Sequence, residues 1–222
     1  DESPLFDGTA EKDEVLWGGE AALRFLPGEA NSLYLKLARG YKGSGINADR
    51  NARTAGYGDE SILNLELGWD WNHPDNGFRS RLALFAFERD NPQIRKWEID
   101  PGFNFVLTQQ NAEKSYGYGA EWEAEWATTD QTTVFLALGL LESHIEASSI
   151  PTLADGRDQA VAPALTYSLG GEWRPLAALA LRARVSGQSE SYYDSFHNGK
   201  NDGYAVVDTS LSWQPGPWRL AL

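Results

Sequence analysis

The sequence predicts an all-β fold, an antiparallel transmembrane β-barrel present as a partial barrel of about ten strands. Three observations point there. Apolar residues recur at every second position over segments longer than ordinary strands, the links between segments alternate between short and long, and Trp and Tyr gather near segment ends.

The segments bear this out in order. Val15 to Leu26 sets Trp17, Ala21, Leu23 and Phe25 against Glu20 and Arg24. Leu33 to Tyr41 carries Leu33, Leu35 and Leu37 on one face and then Arg39. That charge has to lie at the membrane interface or follow a bulge, because a mid-bilayer Arg costs about 2–4 kcal/mol. Leu63 to Asn72 alternates most regularly, with Leu63, Leu65, Leu67, Trp69 and Trp71 opposing Asn64, Glu66, Gly68, Asp70 and Asn72. In Tyr116 to Trp126, Trp122 and Trp126 oppose Glu121, Glu123 and Glu125. Leu165, Tyr167, Leu169 and Trp173 then oppose Thr166, Ser168 and Glu172, and Leu179, Leu181 and Val185 oppose Arg182, Arg184 and Gln188. Val207, Leu211 and Trp213 face away from Asp208, Ser210 and Ser212, and a final stretch, Trp218 to Leu222, is too short to cross and reads as an interrupted strand.

A helix would space these residues three and four apart. Strands that cross a bilayer run to about 9–11 residues, against about 5–6 in soluble sheets. Tight links with turn chemistry occur at Leu26 to Asn31, His73 to Gly77, Thr128 to Gln131, Arg174 to Leu176 and Gln214 to Pro217. Long polar or Gly-rich links fall roughly at Gly43 to Glu60, Asp90 to Phe105, Ser148 to Val161 and Ser191 to Asp202. Tight turns at one end and extended loops at the other are the layout of an outer-membrane barrel. Trp17, Tyr34, Trp69, Trp71, Trp122, Trp126, Trp173 and Trp213 are expected in its aromatic girdles.

Composition narrows the function. The 222 residues hold 19 Lys and Arg against 32 Asp and Glu, a net charge of −13, which opposes nucleic-acid binding. No Cys is present, and His73, His144 and His197 are too scattered for a zinc motif. No apolar run approaches the roughly 20 residues of a membrane-spanning helix. Glu121, Glu123 and Glu125 share one strand face and read as a wet, lumen-facing stripe rather than an acid–base pair. Gly40, Gly68, Gly119 and Gly170 read as close-approach or bulge positions. The residues suggest no catalytic centre, metal site or cofactor. The absence of Met and of a leader at Asp1 reads as a processed or partial chain, and residues 1–222 are expected to form one domain, a barrel cut at both ends.

Several motifs then occur in a telling order. They are Ala38-Arg39-Gly40-Tyr41-Lys42 with Gly43, Gly45 and Asn47; Glu60-Ser61 before Asn64-Leu65-Glu66-Leu67-Gly68; Asn111-Ala112-Glu113-Lys114 before Tyr118-Gly119-Ala120-Glu121-Trp122-Glu123-Ala124; and Gly139-Leu140-Leu141-Glu142. Ala162-Pro163, Thr166-Tyr167-Ser168-Leu169-Gly170, Tyr192-Tyr193 and Gly203-Tyr204 continue the series. From about Val15 to Leu222 the chain resembles the C-terminal half of the barrel of TonB-dependent outer-membrane receptors. Ile46 departs by standing where that pattern has an aromatic.

The resemblance implies a bacterial outer-membrane location, contact with outer-membrane lipid, and a barrel of about 22 strands around an N-terminal plug. It implies uptake of a scarce nutrient, most often a ferric siderophore, energised by the TonB complex through an N-terminal part outside this sequence. No motif assigns ligand contacts. The expected contacts therefore come from loop placement: Asp49, Arg50, Arg53 and Tyr57 in the first long loop, Trp97 and Phe103 in the second, and Tyr192, Tyr193 and His197 in the fourth. Basic residues at a mouth attract anionic ferric complexes. Two other readings stand beside this one: a self-contained porin-like barrel, and a secreted carbohydrate-binding β-sandwich.

Overall fold

The computed structural model describes residues 13–47, 56–99, 102–146, 150 and 156–222. In chain order the strands are β1 (Gly19–Gly28), β2 (Asn31–Lys42), β3 (Gly45–Ile46), β4 (Gly56–Tyr57), β5 (Glu60–His73), β6 (Phe78–Asp90), β7 (Gln93–Ile99) and β8 (Phe105–Asn111). They continue as β9 (Lys114–Thr129), β10 (Thr132–Glu146), β11 (Leu165–Leu176), β12 (Leu179–Gln188), β13 (Ser191–Tyr192), β14 (Lys200–Asn201), β15 (Tyr204–Trp213) and β16 (Leu220–Ala221). No helix among the described residues is long and apolar enough to cross a membrane.

The wall is one ten-stranded sheet in the order β1-β2-β5-β6-β9-β10-β11-β12-β15-β16, antiparallel throughout. The expected all-β, partial-barrel architecture is therefore observed, with β1 and β16 as the edges of an open segment of wall. Each tight turn joins neighbouring wall strands at one end, while among the described residues three of the four connections at the other carry small hairpins of their own, β3–β4, β7–β8 and β13–β14. Alternation alone had suggested plain loops there.

Register fixes what each face presents. One row across the wall reads Leu35, Leu67, Leu84, Ala120, Leu140, Leu165, and the next toward the turns reads Leu33, Trp69, Leu82, Trp122, Leu138, Tyr167. These form an apolar outer belt, and such residues remain substantially exposed in the chain, Leu67 at 49%. A packed interior would have buried them, so the belt is a surface for lipid. On the opposite face, residues such as Glu66, Asp70, Arg81 and Glu123 line the lumen.

Two expectations change in detail. Tyr34 is not in a girdle. Its even position in β2 turns it into the lumen, opposite Gly68, where its hydroxyl donates to Glu66 Oε1 at 2.7 Å. Arg39 stays on the outer face with no register shift in β2, so no bulge diverts it. It lies in the row of Leu63, Glu88, Tyr116 and His144, above the belt, with its guanidinium 4.2 Å from the Trp17 ring and donating to the Trp17 carbonyl. The interfacial alternative is the one realised. Trp69, Trp71, Trp122, Trp126, Trp173 and Trp213 do face outward, toward the turn end.

What core there is sits above the wall. Ile94, Ala112, Ile145 and Ile150 are buried together, with Phe196 packed against them, so the second, third and fourth long connections share one apolar cluster.

The candidate functional site at the outer mouth

The lumen wall is a ladder of ion pairs. Asp70 accepts from Arg81 Nε at 2.8 Å and lies 3.5 Å from Arg24 Nη2, Lys36 meets Glu66 at 2.9 Å, Arg79 meets Glu125 at 2.7 Å, and Arg184 meets Asp208 at 2.9 Å. In the Glu121, Glu123, Glu125 stripe, Glu123 and Glu125 lie opposite Arg81 and Arg79 of β6 and Glu121 opposite Ala83, and Glu125 is paired with Arg79. A recess of about 620 Å³ opens here, lined by Asp70, Arg79, Arg81, Glu123, Glu125 and Arg182.

The mouth at the long-loop end is built around a buried carboxylate. Glu60, the first residue of β5, is only 4% exposed. Its Oε1 accepts from Arg89 Nη2 at 2.6 Å and Nε at 2.9 Å, and its Oε2 accepts from the Gln93 N–H at 2.8 Å. Lys42 Nζ lies 3.2 Å from both oxygens. Three wall strands and the start of β7 therefore converge on one charge, the arrangement that makes a buried carboxylate tolerable. Asn111 is a second hub: its Oδ1 accepts from the Gly58 N–H at 2.6 Å, and its Nδ2 donates to the Asn91 carbonyl at 2.7 Å and the Gly58 carbonyl at 3.1 Å. These bonds fasten the first loop to the second.

The fourth connection is clamped from the third. Arg157, 8% exposed, stacks 3.8 Å from the Tyr192 ring and donates to the carbonyls of Ser195 and His197. Lys200 lies 4.8 Å from the same ring and pairs with Glu190 at 2.6 Å. Asp194 accepts from the N–H groups of Phe196 and His197 at 2.8 and 2.7 Å, and its other oxygen lies 2.6 Å from His197 Nδ1. Burial disfavours the Asp194 charge, but the bonds from the His197 ring and from the two N–H groups outweigh it and hold the carboxyl below its ordinary value. The His197 ring stacks on Tyr193 at 5.9 Å.

A long-stranded wall with an apolar outer belt, a charged lumen face and loops packed over one end has the build of a section of an outer-membrane barrel. A family model described as TonB dependent receptor-like, beta-barrel matches residues 6–222. The chain belongs to the TonB-dependent receptor family.

It is 25% identical over 217 residues to the pesticin receptor of Yersinia enterocolitica, covering 93% of this chain and 30% of that protein. Its fold is like that of the ferric yersiniabactin uptake receptor FyuA from Yersinia pestis, with a TM-score of 0.72 at 21% identity over 89% of this chain and 29% of the other. The siderophore receptor PiuA from Acinetobacter baumannii gives a TM-score of 0.71 at 20% identity over 91% of this chain and 30% of the other. The chain thus spans about 30% of the relatives it matches. Its wall is a piece of an outer-membrane β-barrel.

Of the expected contacts, Tyr192, Tyr193 and His197 lie in the fourth connection, the His197 ring stacked on Tyr193 and the Tyr192 ring against Arg157. Tyr192 is sandwiched between cations, whereas Tyr193 and His197 are exposed. Trp97 and Phe103 lie apart from them at the far end of the β7–β8 hairpin, 63% and 87% exposed, beside exposed Ile99 and Phe105. Hairpin and fourth connection touch through Lys96, 5.2 Å from the Phe196 ring. Tyr57 packs its ring over Gly45 in the β3–β4 ladder. Asp49, Arg50 and Arg53 lie outside the described residues.

Loop placement missed Glu60, Asn111 and Arg157. Glu60 and Asn111 each open one of the family-like motifs, and that position at a strand start or end was the available signal. Arg157 had none, since its partners are about forty residues away in sequence.

Proposed function

We propose that this chain supplies part of the wall and the outer mouth of a receptor that captures a ferric chelate bearing aromatic groups and passes it inward under TonB energy. The observation that carries the reading is the mouth itself. Among the described residues, three of its cations hold loops: Arg89 on Glu60, Arg157 on two carbonyls and Tyr192, and Lys200 on Glu190. Among the described residues it exposes a set of aromatics: Trp97, Phe103, Phe105, Tyr193 and His197. Aromatic faces stack on planar rings, each such contact worth about 0.5–1.5 kcal/mol beyond area burial. Phenolate or catecholate arms of an iron chelate offer those rings. FyuA, described as a ferric yersiniabactin uptake receptor, and PiuA, described as a siderophore receptor, support the substrate class. Nutrient release inward, the TonB complex as partner and a single barrel domain over residues 1–222 belong to the same proposal.

The test is uptake of radiolabelled iron by cells producing the full-length receptor, supplied with phenolate, catecholate and hydroxamate chelates. Uptake of an aromatic chelate that stops when TonB is deleted supports the reading. Equal uptake of all three chelates, or uptake indifferent to TonB, contradicts it.

A further inference from the structure

On the outer face, just above the apolar belt, β10 carries Glu142 and His144 two residues apart, beside Tyr118 and Tyr116 of β9. Asp158 reaches the same spot from the third long connection, whose residues 156 and 157 are hydrogen-bonded to Ile145. One ligand atom from each of Glu142, His144 and Asp158 can be chosen so that all three lie within 4.8 Å of one another. His144 Nε2 is 3.0 Å from Glu142 Oε1.

The imidazole orientation decides what this cluster can do. His144 Nδ1 lies 3.2 Å from the Gly156 carbonyl oxygen. A carbonyl only accepts, so Nδ1 carries the hydrogen and Nε2 is the free coordinating nitrogen in the neutral ring. Its lone pair then points at a carboxylate oxygen, and two acceptors at 3.0 Å repel unless a proton or a cation lies between them. A ring whose far N–H is held by a backbone carbonyl is also the usual outer support of a metal-bound His.

We infer that Glu142, His144 and Asp158 form a divalent transition-metal site, suited to Zn²⁺, that staples the third outer loop to the wall. Bonds of about 2.0–2.1 Å in a tetrahedral shell place ligand atoms roughly 3.3 Å apart. The Glu142–His144 pair already stands near that spacing, while Asp158, 57% exposed at its side chain and 3.8 Å from His144 Nδ1, has to swing toward the Nε2 side to complete the shell. Imidazole with two carboxylates is a borderline donor set that favours Zn²⁺ over Ca²⁺ or Mg²⁺. The neighbouring Arg157 holds the fourth connection, so a cation at Asp158 steadies both loops.

The test uses the full-length receptor in detergent with Zn²⁺ alone, at neutral pH. Calorimetry is expected to show a saturable site whose affinity falls about tenfold or more in His144→Ala and in Glu142→Gln. His197→Ala leaves it unchanged. Zinc is expected to slow protease cleavage within residues 147–164 of the wild type and not of His144→Ala. No saturable binding, affinity indifferent to both substitutions, or cleavage indifferent to zinc overturns the proposal.

Discussion

Gly68 of β5 lies against the ring of Tyr34 on β2, so closely that a Cβ at residue 68 would overlap the ring atoms. The missing side chain is what lets a tyrosine lie flat on the lumen wall and bond Glu66. Gly68→Ala is expected to destabilise the barrel by about 1–3 kcal/mol through this overlap. Gly68→Ala in a Tyr34→Ala background is expected to cost clearly less than in the wild type. Thermal unfolding of the full-length protein on semi-native gels measures both.

Glu60 is the hinge of the mouth. Glu60→Ala leaves Arg89 half-buried without its carboxylate and the Gln93 N–H without an acceptor. Removing one partner of a buried pair costs about 3–5 kcal/mol. Amide exchange in β7 and β8 is expected to accelerate accordingly, while exchange in the apolar belt stays unchanged.

Depth on the outer face is tested by charge. Arg39→Leu is expected to shift stability by no more than about 1 kcal/mol, because interfacial Arg costs little. Leu67→Arg, in the middle row, is expected to cost about 2–4 kcal/mol. Denaturant titration in lipid vesicles separates the two.

Asp194 links the fourth connection to pH. Its folded carboxyl is held below the ordinary value of 3.8, so its ionised form stabilises the turn at neutral pH. That stability is lost as pH falls through the depressed value. Protection factors of the Phe196 and His197 amides are expected to be flat down to the ordinary Asp range and to drop below it. Asp194→Asn is expected to abolish the drop.

Much of this architecture is legible in the sequence because barrel walls obey one simple rule. Leu63 through Trp71 are apolar at every second position, and the structure puts each of them on the lipid side. The same parity would have put Tyr34 in the lumen, but its residue type suggested a girdle. The β7–β8 hairpin is hidden for a physical reason. One face carries polar Gln93, Arg95, Gln109 and Asn111 at its base and ends in exposed Trp97 and Ile99, while the other buries Ile94 beside Lys96. Neither face is uniformly apolar, so no alternation survives. The mouth is less legible still, because Arg157 is held by residues distant in sequence and Asp49, Arg50 and Arg53 lie outside the described residues.

The alternation of faces in this sheet assigns odd residues of β5 to lipid and even ones to the lumen, with the long connections expected at the cell exterior. This chain holds no Cys, so each cysteine introduced here is the only one within residues 1–222. In the full-length receptor in the outer membrane, fluorophores at Leu65→Cys and Leu67→Cys are predicted to be quenched by spin-labelled lipid. Fluorophores at Asn64→Cys and Glu66→Cys are predicted to be insensitive to it. On intact cells, an impermeant maleimide is predicted to label Phe103→Cys and to spare Asn76→Cys. Quenching without alternation between odd and even positions, or labelling of residue 76 from outside, would contradict the account.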